Sequence, residues 1–454
     1  MRFNIFLLNL SVRGIKNLSD WARFSFYKNT INPKDLSFDN YRVKAVYGAN
    51  GSGKTAVISS VKILRSLLSN PLYLVNPVTQ KELNELVNKM TGKLEIDVEF
   101  LCKSAKIKIY RYQIVLARNN LNRFFIAEEI LTSRSAASHN AKGKVIYKID
   151  KGEIEVLHTS NPDYIKEATR NLLSNQSFVS TVLELLQSNK FENSMLDLII
   201  DLIYLELFGQ QLNVYLDTVD DHSDYYLDAI NEGKASKAEW NDFIKKISLH
   251  NTESFVISPH NTESFVIYPR KMRILKDEYN SYEETITSLC SFIKIFKKNL
   301  QNIEIDRKED KNFYVCELVM DYGDYKINSE FESTGIKKLI KLYSYFQKMM
   351  DGEVVFIDEL DSNLHDVYLC ALLEYLMENG KGQLCFTTHN IGPMDVLKHS
   401  KKSIDFLSVD HTVYSWSSNG NYSPANLYRK GMIEGSPFNI DSFDFVGVFT
   451  PDEG

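Results

Sequence analysis

Eight consecutive residues constrain this chain more than any others. Gly48-Ala49-Asn50-Gly51-Ser52-Gly53-Lys54-Thr55 satisfies the phosphate-loop pattern G-x-x-x-x-G-K-[ST] at every fixed position. The flanks suit it. Arg42 to Tyr47 is a short β-rich run, and Val57, Ile58, Val61, Leu64, Leu67 and Leu68 recur at helical spacing after Thr55. Strand, glycine turn and helix follow in that order. Glycines let backbone N–H groups turn inward onto phosphate oxygens, and a helix N-terminus adds partial positive charge. Gly48, Asn50, Gly51, Ser52 and Gly53 would form the cradle. Lys54 would reach the β- and γ-phosphates, and the Thr55 hydroxyl would bind Mg2+.

Composition narrows the class. The 454 residues are 44% hydrophobic and 25% charged, the balance of a soluble globular protein long enough for two or three units. A net charge of −6 carries no global basic signature for nucleic acid. Cys102, Cys290, Cys316, Cys370 and Cys385 are odd in number and lack C-x-x-C spacing, which argues for reduced thiols and against a disulfide framework or zinc site. The apolar N-terminus, Met1 to Val12, reads as a first strand because no small-residue cleavage site follows it. Met195 to Phe208 is greasy, but Asp197, Asp201 and Glu206 stripe it, so a buried helix is expected and not a membrane span. A cytoplasmic location follows as the expectation.

Along the chain, residues 1–70 read as three strands, the phosphate loop and its helix. Leu94 to Phe100, Ile107 to Val115 and Phe124 to Leu131 alternate as β-hairpins. From about 160 to 300 the period turns helical. Strands resume at Phe313 to Val319 and Tyr325 to Phe331, before a helix over Ile336 to Met350. The octet His250 to Ile257 recurs as His260 to Ile267, a single duplication too short for a solenoid.

Two later runs bear on the phosphate loop. Glu353 to Ile357 is an apolar strand that leads into Asp358-Glu359. After a phosphate loop, Asp358 can help hold Mg2+, and Glu359 can polarise an attacking water. The next strand, Gln383 to Thr388, ends at His389, whose imidazole can hydrogen-bond a γ-phosphate. Ser333-Thr334-Gly335 opens a helix, which makes it both an N-cap and an anion site.

Together the phosphate loop, Ser333-Thr334-Gly335, Ile357-Asp358-Glu359-Leu360-Asp361-Ser362-Asn363-Leu364-His365 and Thr387-Thr388-His389-Asn390 resemble the ABC-type ATPase head. The run Asp361 to His365 resembles its D-loop. Among such heads the sequence is most similar to the AAA-like ATPases of bacterial abortive-infection and anti-phage modules, relatives of the overcoming-lysogenisation-defect ATPases. The resemblance covers about 1–135 and 310–445. It implies an α/β fold: a P-loop ATPase head with a mixed sheet, flanking helices and an antiparallel β-subdomain, plus a helical insertion. The expected division is 1–150 for the N-terminal half of the head, 151–305 for the insertion and 306–454 for the C-terminal half.

The resemblance further implies a head-to-tail homodimer. Each ATP and Mg2+ would lie between Lys54, Thr55, Asp358, Glu359 and His389 of one copy and Ser333 and Gly335 of the other. The signature reads Glu-Ser-Thr-Gly-Ile, a departure from Leu-Ser-Gly-Gly-Gln. The Q-loop glutamine is unassigned, Gln113 being a weak candidate inside a strand. Coiled-coil heptads are not expected in the insertion, nor a nuclease domain in the residues after His389, and Arg134 to His139 matches an RNase-like R-x4-H spacing only in a Ser/Ala-rich stretch. The expectation is therefore an ATP-hydrolysing switch of an anti-phage system. It would act on a separately encoded toxin or nuclease, and a phage protein or nucleic acid would be its trigger. A RecF-like DNA-repair ATPase acting on duplex DNA is the alternative, and a scaffold that binds ATP without useful turnover is a third.

Overall fold

The computed structural model describes residues 4–28, 31–32, 36–103, 107–136, 143–188, 195–217, 266–417 and 422–436. The duplicated octets lie almost wholly outside these residues, as do His139 and Phe443 to Phe445.

Five parallel strands form the centre. They are β3 (Val43–Tyr47), β9 (Leu212–Tyr215), β14 (Val354–Ile357), β15 (Gln383–Thr387) and β16 (Ile404–Leu407), with β17 (Val413–Ser415) antiparallel at one edge. The order is β17-β16-β3-β15-β14-β9. Strands buried on both faces read as unbroken apolar runs, and β14 shows why. Val354 and Phe356 enter the core shared with helices α1 (Lys54–Ser69), α4 (Phe178–Ser188) and α5 (Leu196–Gln211), while Val355 and Ile357 enter the core on the opposite face. Helices α7 (Thr334–Asp351) and α8 (Asp366–Asn379) cover that second face. Lys44 and Asp405 form a buried ion pair of 2.5 Å between β3 and β16.

An antiparallel sheet of seven strands packs against the first core. It includes β1 (Asn4–Arg13), β2 (Ala22–Ser25), β4 (Lys93–Lys103), β5 (Ile107–Arg118), β6 (Phe124–Ser135), β7 (Lys144–Asp150) and β8 (Glu153–Leu157), in the order β2-β1-β4-β5-β6-β7-β8. Gln383 stitches the two sheets together. Its Oε1 accepts from Leu7 N (2.7 Å) and its Nε2 donates to Leu7 O (3.0 Å), at the point where the pairing of β1 with β4 shifts register. A third sheet, β10 (Met272–Leu275), β12 (Phe313–Asp321) and β11 (Asn302–Asp310), with β13 (Lys326–Asn328) on β12, shares a core with helix α6 (Tyr279–Phe296) and α7. A P-loop head with an antiparallel β-subdomain is thus the observed architecture.

Two local expectations change. Residues 212–215 and 272–275 are strands inside the stretch read as helical. β9 is buried on both faces and follows α5 directly, so neither alternation nor a turn marks it. The strand expected over Tyr325 to Phe331 is only Lys326–Asn328, because the Asn328 side chain accepts from Glu330 N and starts a 3-10 turn. Of the acids that stripe α5, Asp201 accepts from Lys108 Nζ (3.0 Å) and Tyr110 Oη (2.6 Å). Arg134 lies in β6, where it is paired with Glu99 at 2.7 Å. The five cysteines are unpaired. Among the described residues no helix is long and apolar enough to cross a membrane.

Glu129 is fully buried under α4. Its Oε1 accepts from Tyr112 Oη (3.0 Å) and Tyr147 Oη (2.8 Å), and its Oε2 accepts from Phe178 N (2.9 Å). Burial outweighs these donors and pushes the carboxyl up to about 7. A folded pKa above the unfolded one stabilises fully below the unfolded value and is lost as pH rises through the folded one. Denaturant titrations from pH 5 to pH 8 should therefore show stability falling, by a contribution on the order of 3 kcal/mol. Glu129→Gln should lack that slope. Equal slopes in the two proteins would refute the assignment.

Candidate functional site

In parallel sheets ligands sit outside the carboxyl ends of the strands, and here those ends gather the chemistry. β3 runs into the phosphate loop, its neighbour β15 into Thr388-His389, and the next strand, β14, into Asp358-Glu359. Three separate sequence motifs therefore meet because their strands are adjacent.

The phosphate loop is built around Gly53. Its φ of +106° is left-handed, and a Cβ there would stand 2.5 Å from Leu18 Cδ2. Only glycine suits both conditions. Gly53 is also the N-cap of α1 and supplies no side-chain cap, so the first-turn N–H groups are left for an anion. Asn17 Nδ2 donates to Gly51 O and Ala49 N donates to Gly435 O (3.1 Å), which together hold the loop from outside. Lys54 is buried, with Nζ donating to Gly48 O (2.8 Å) and Ala49 O (3.1 Å). Burial lowers its pKa, against the opposing pull of Asp358, Glu359 and Asp361. The Ser52 hydroxyl is fully buried and has no hydrogen-bond partner among the described residues.

Asp358 is buried, and Thr387 Oγ1 donates to its Oδ1 at 2.6 Å. The same hydroxyl oxygen accepts from Glu359 N at 2.8 Å. One threonine therefore orients both acids. Glu359 lies just past the strand, in a turn, with a left-handed φ of +46°. Left-handed non-glycine residues cost about 1–2 kcal/mol and concentrate where function over-determines them. Burial raises the Glu359 pKa, as do the charges of Asp358, Asp217 and Asp361, while Lys338 lowers it. His389 stands at the exposed edge of the site. Partial desolvation lowers its pKa, with Lys54 acting in the same sense and Asp361 and Asp358 against it.

The structure places Lys54, Asp358, Glu359 and His389 at the ends of three adjacent strands. Ser333 and Gly335 make other contacts. Ser333 Oγ accepts from Ile336 N as the N-cap of α7. Thr334 Oγ1 donates to Asn363 Oδ1 (3.2 Å), and a Cβ on Gly335 would lie 2.7 Å from Asn363 O. This segment stands against the Asp361–His365 run, with Ser333 and Thr334 exposed. Gln113 is inside β5, within 3.3 Å of Asp97.

Sequence reasoning passed over two contributors, Thr387 and Lys338. Thr387 directly precedes the Thr388-His389 pair. Lys338 sits in helical register with Leu342, on a face that turns out to be buried.

A family model described as "AAA domain, putative AbiEii toxin, Type IV TA system" matches residues 44–395. Among solved structures, the Smc head domain of Pyrococcus furiosus bound to the C-terminal domain of ScpA aligns at 14% identity and TM-score 0.38, covering 91% of this chain and 96% of that one. RecF with a bound ATP analogue aligns at 13% identity and TM-score 0.37 over 91% and 99%. The SMC head domain from Thermotoga maritima aligns at 12% identity and TM-score 0.31 over 91% and 100%. No curated protein matches the chain.

Proposed function

The chain belongs to this AAA-domain family; from that premise we propose that it carries an ABC-type ATPase head and is the ATP-hydrolysing switch subunit of a prokaryotic abortive-infection system, controlling a separately encoded effector. The observation that carries the ATPase part is the meeting of Lys54, Asp358, Glu359 and His389 at the ends of three adjacent strands. The toxin–antitoxin wording of the family supports the biological setting.

The residues divide the work. Backbone N–H groups at the start of α1, with the partnerless Ser52 hydroxyl, suit phosphate oxygens. Lys54 would exchange its bonds to Gly48 O and Ala49 O for bonds to the β- and γ-phosphates. Thr55 and Asp358 supply two oxygen donors of the kind Mg2+ takes, with phosphate oxygens completing its shell. No group of three or more His, Cys, Asp or Glu side chains among the described residues could hold a metal by itself. Bound there, Mg2+ would offset phosphate charge. Glu359 would accept a proton at a carboxylate oxygen from the water that attacks the γ-phosphorus, as the bond to the ADP oxygen breaks. His389 would hydrogen-bond the γ-phosphate. Ser333, exposed at the start of α7, and the half-buried Gly335 would meet the nucleotide of a second copy arranged head to tail. Binding would close that interface and hydrolysis would reopen it.

Co-expression with the product of the neighbouring gene tests the setting. The two should co-purify in at least one nucleotide state. No complex in the apo, ATP or ADP state would reject control of a separate effector. Turnover stimulated by duplex DNA and weakened by salt would instead favour the RecF-like alternative.

A further inference from the structure

We propose that Lys338, one turn into α7, is a positioning residue for ATP hydrolysis, clamping the turn that carries Glu359 and tying it to the Ser333–Gly335 segment. The proposal rests on the ATPase reading above and adds to it a residue that no phosphate-site motif contains.

Lys338 is 4% exposed. Its Nζ donates to the backbone oxygen of Glu359 and to Ser362 Oγ, and stands 3.7 Å from Asp217 Oδ2. Ser362 Oγ donates in turn to Asp217 Oδ2 at 2.9 Å. A buried ammonium needs acceptors and a counter-charge; the two acceptors lie on one turn, and the counter-charge is a carboxylate just past β9. The placement has a local reason. Glu359 is in the left-handed region at +46°, and Asn363, four residues on, at +62°. The turn is closed by its own bond from Ser362 N to Glu359 O (3.0 Å), and its two left-handed residues are held further by side chains from outside it. Thr387 fixes the N–H of Glu359 and Lys338 fixes its C=O, so both polar groups of the strained peptide have partners of fixed position.

The second consequence concerns α7. The helix that holds Glu359 through Lys338 begins at Ser333–Gly335 and touches Asn363 through Thr334 and Gly335. Its far end is anchored as well. Lys348 Nζ donates to Asn213 Oδ1 (2.8 Å), and Tyr345 Oη donates to Val214 O (3.3 Å). A displacement of the start of α7, such as engagement of a second copy's nucleotide, would reach the Glu359 turn through the buried Lys338 side chain as well as through the contacts at Asn363. Charge matters too. Asp217, Asp358, Glu359 and Asp361 all act on Lys338, so its ammonium offsets the repulsion that would otherwise spread these carboxylates apart.

Steady-state ATP turnover and equilibrium ATP binding of the full chain test this, with thermal melting as the control. Lys338→Met should lower kcat on the order of 10–100-fold, because a misplacement near 1 Å costs about that much. ATP affinity should stay within about threefold, since the phosphate loop is untouched. Ser362→Ala removes one leg of the clamp without removing the charge, and should lower kcat severalfold with affinity again unchanged. Turnover unaltered in both variants would overturn the proposal, as would kcat and affinity falling together by one factor. If Lys338→Met fails to fold, Ser362→Ala decides alone. No turnover in the unsubstituted protein would reject the ATPase reading itself, a separate outcome from wild-type turnover that ignores Lys338.

Discussion

Lys54→Met should reduce ATP affinity by on the order of 100-fold or more. The side chain is already buried and pre-aimed. Its present acceptors, Gly48 O and Ala49 O, belong to the loop that would wrap the phosphates. A hydrogen bond to a charged group contributes about 1.5–3 kcal/mol, and each 1.4 kcal/mol is tenfold in affinity, so losing one or two such bonds gives that figure. Asp358, Glu359 and Asp361 would also lose the charge of Lys54 and repel the phosphates. Calorimetric titration with ATP reads the effect. Affinity within threefold of the unsubstituted protein would show that the loop does not bind phosphate as described.

Glu359→Gln should have the opposite signature, with ATP bound as well as before and turnover reduced by about 10²–10⁴-fold, the usual contribution of a general base. Geometry favours this separation. Glutamine preserves the side-chain length, and the backbone contacts of residue 359 to Thr387 and Lys338 do not depend on the carboxylate. The raised carboxyl pKa of Glu359, caused first by burial and then by Asp358, Asp217 and Asp361, brings it nearer the working pH of a base. Single-turnover assays measure the loss. A variant as fast as the original would remove Glu359 from the chemistry.

Legibility in the sequence follows the range of the interactions. The phosphate loop is local: glycine conformations and a helix start lie within eight residues, and the motif is visible as spacing. Asp358-Glu359 and His389 are visible for the same reason, each sitting just past a short apolar run. What spacing does not carry is the order of strands. That β15 lies between β3 and β14, and so brings Thr387 to Asp358, is a property of sheet pairing. β9 was hidden because a strand buried on both faces looks like the end of the apolar helix before it. Lys338 was hidden because lysine on a helix ordinarily faces water; its partners come from Asp217 and the Glu359–Ser362 turn, distant segments that meet only when the sheet is assembled.

The account's central claim is a composite site completed by a second copy. The most direct measurement is the molar mass in solution of the Glu359→Gln protein, with and without Mg-ATP. A monomer that becomes a dimer of twice its mass on adding ATP, and fails to do so when Ser333→Arg blocks the start of α7, is the predicted result. A mass indifferent to ATP, or a dimer indifferent to Ser333→Arg, would contradict it.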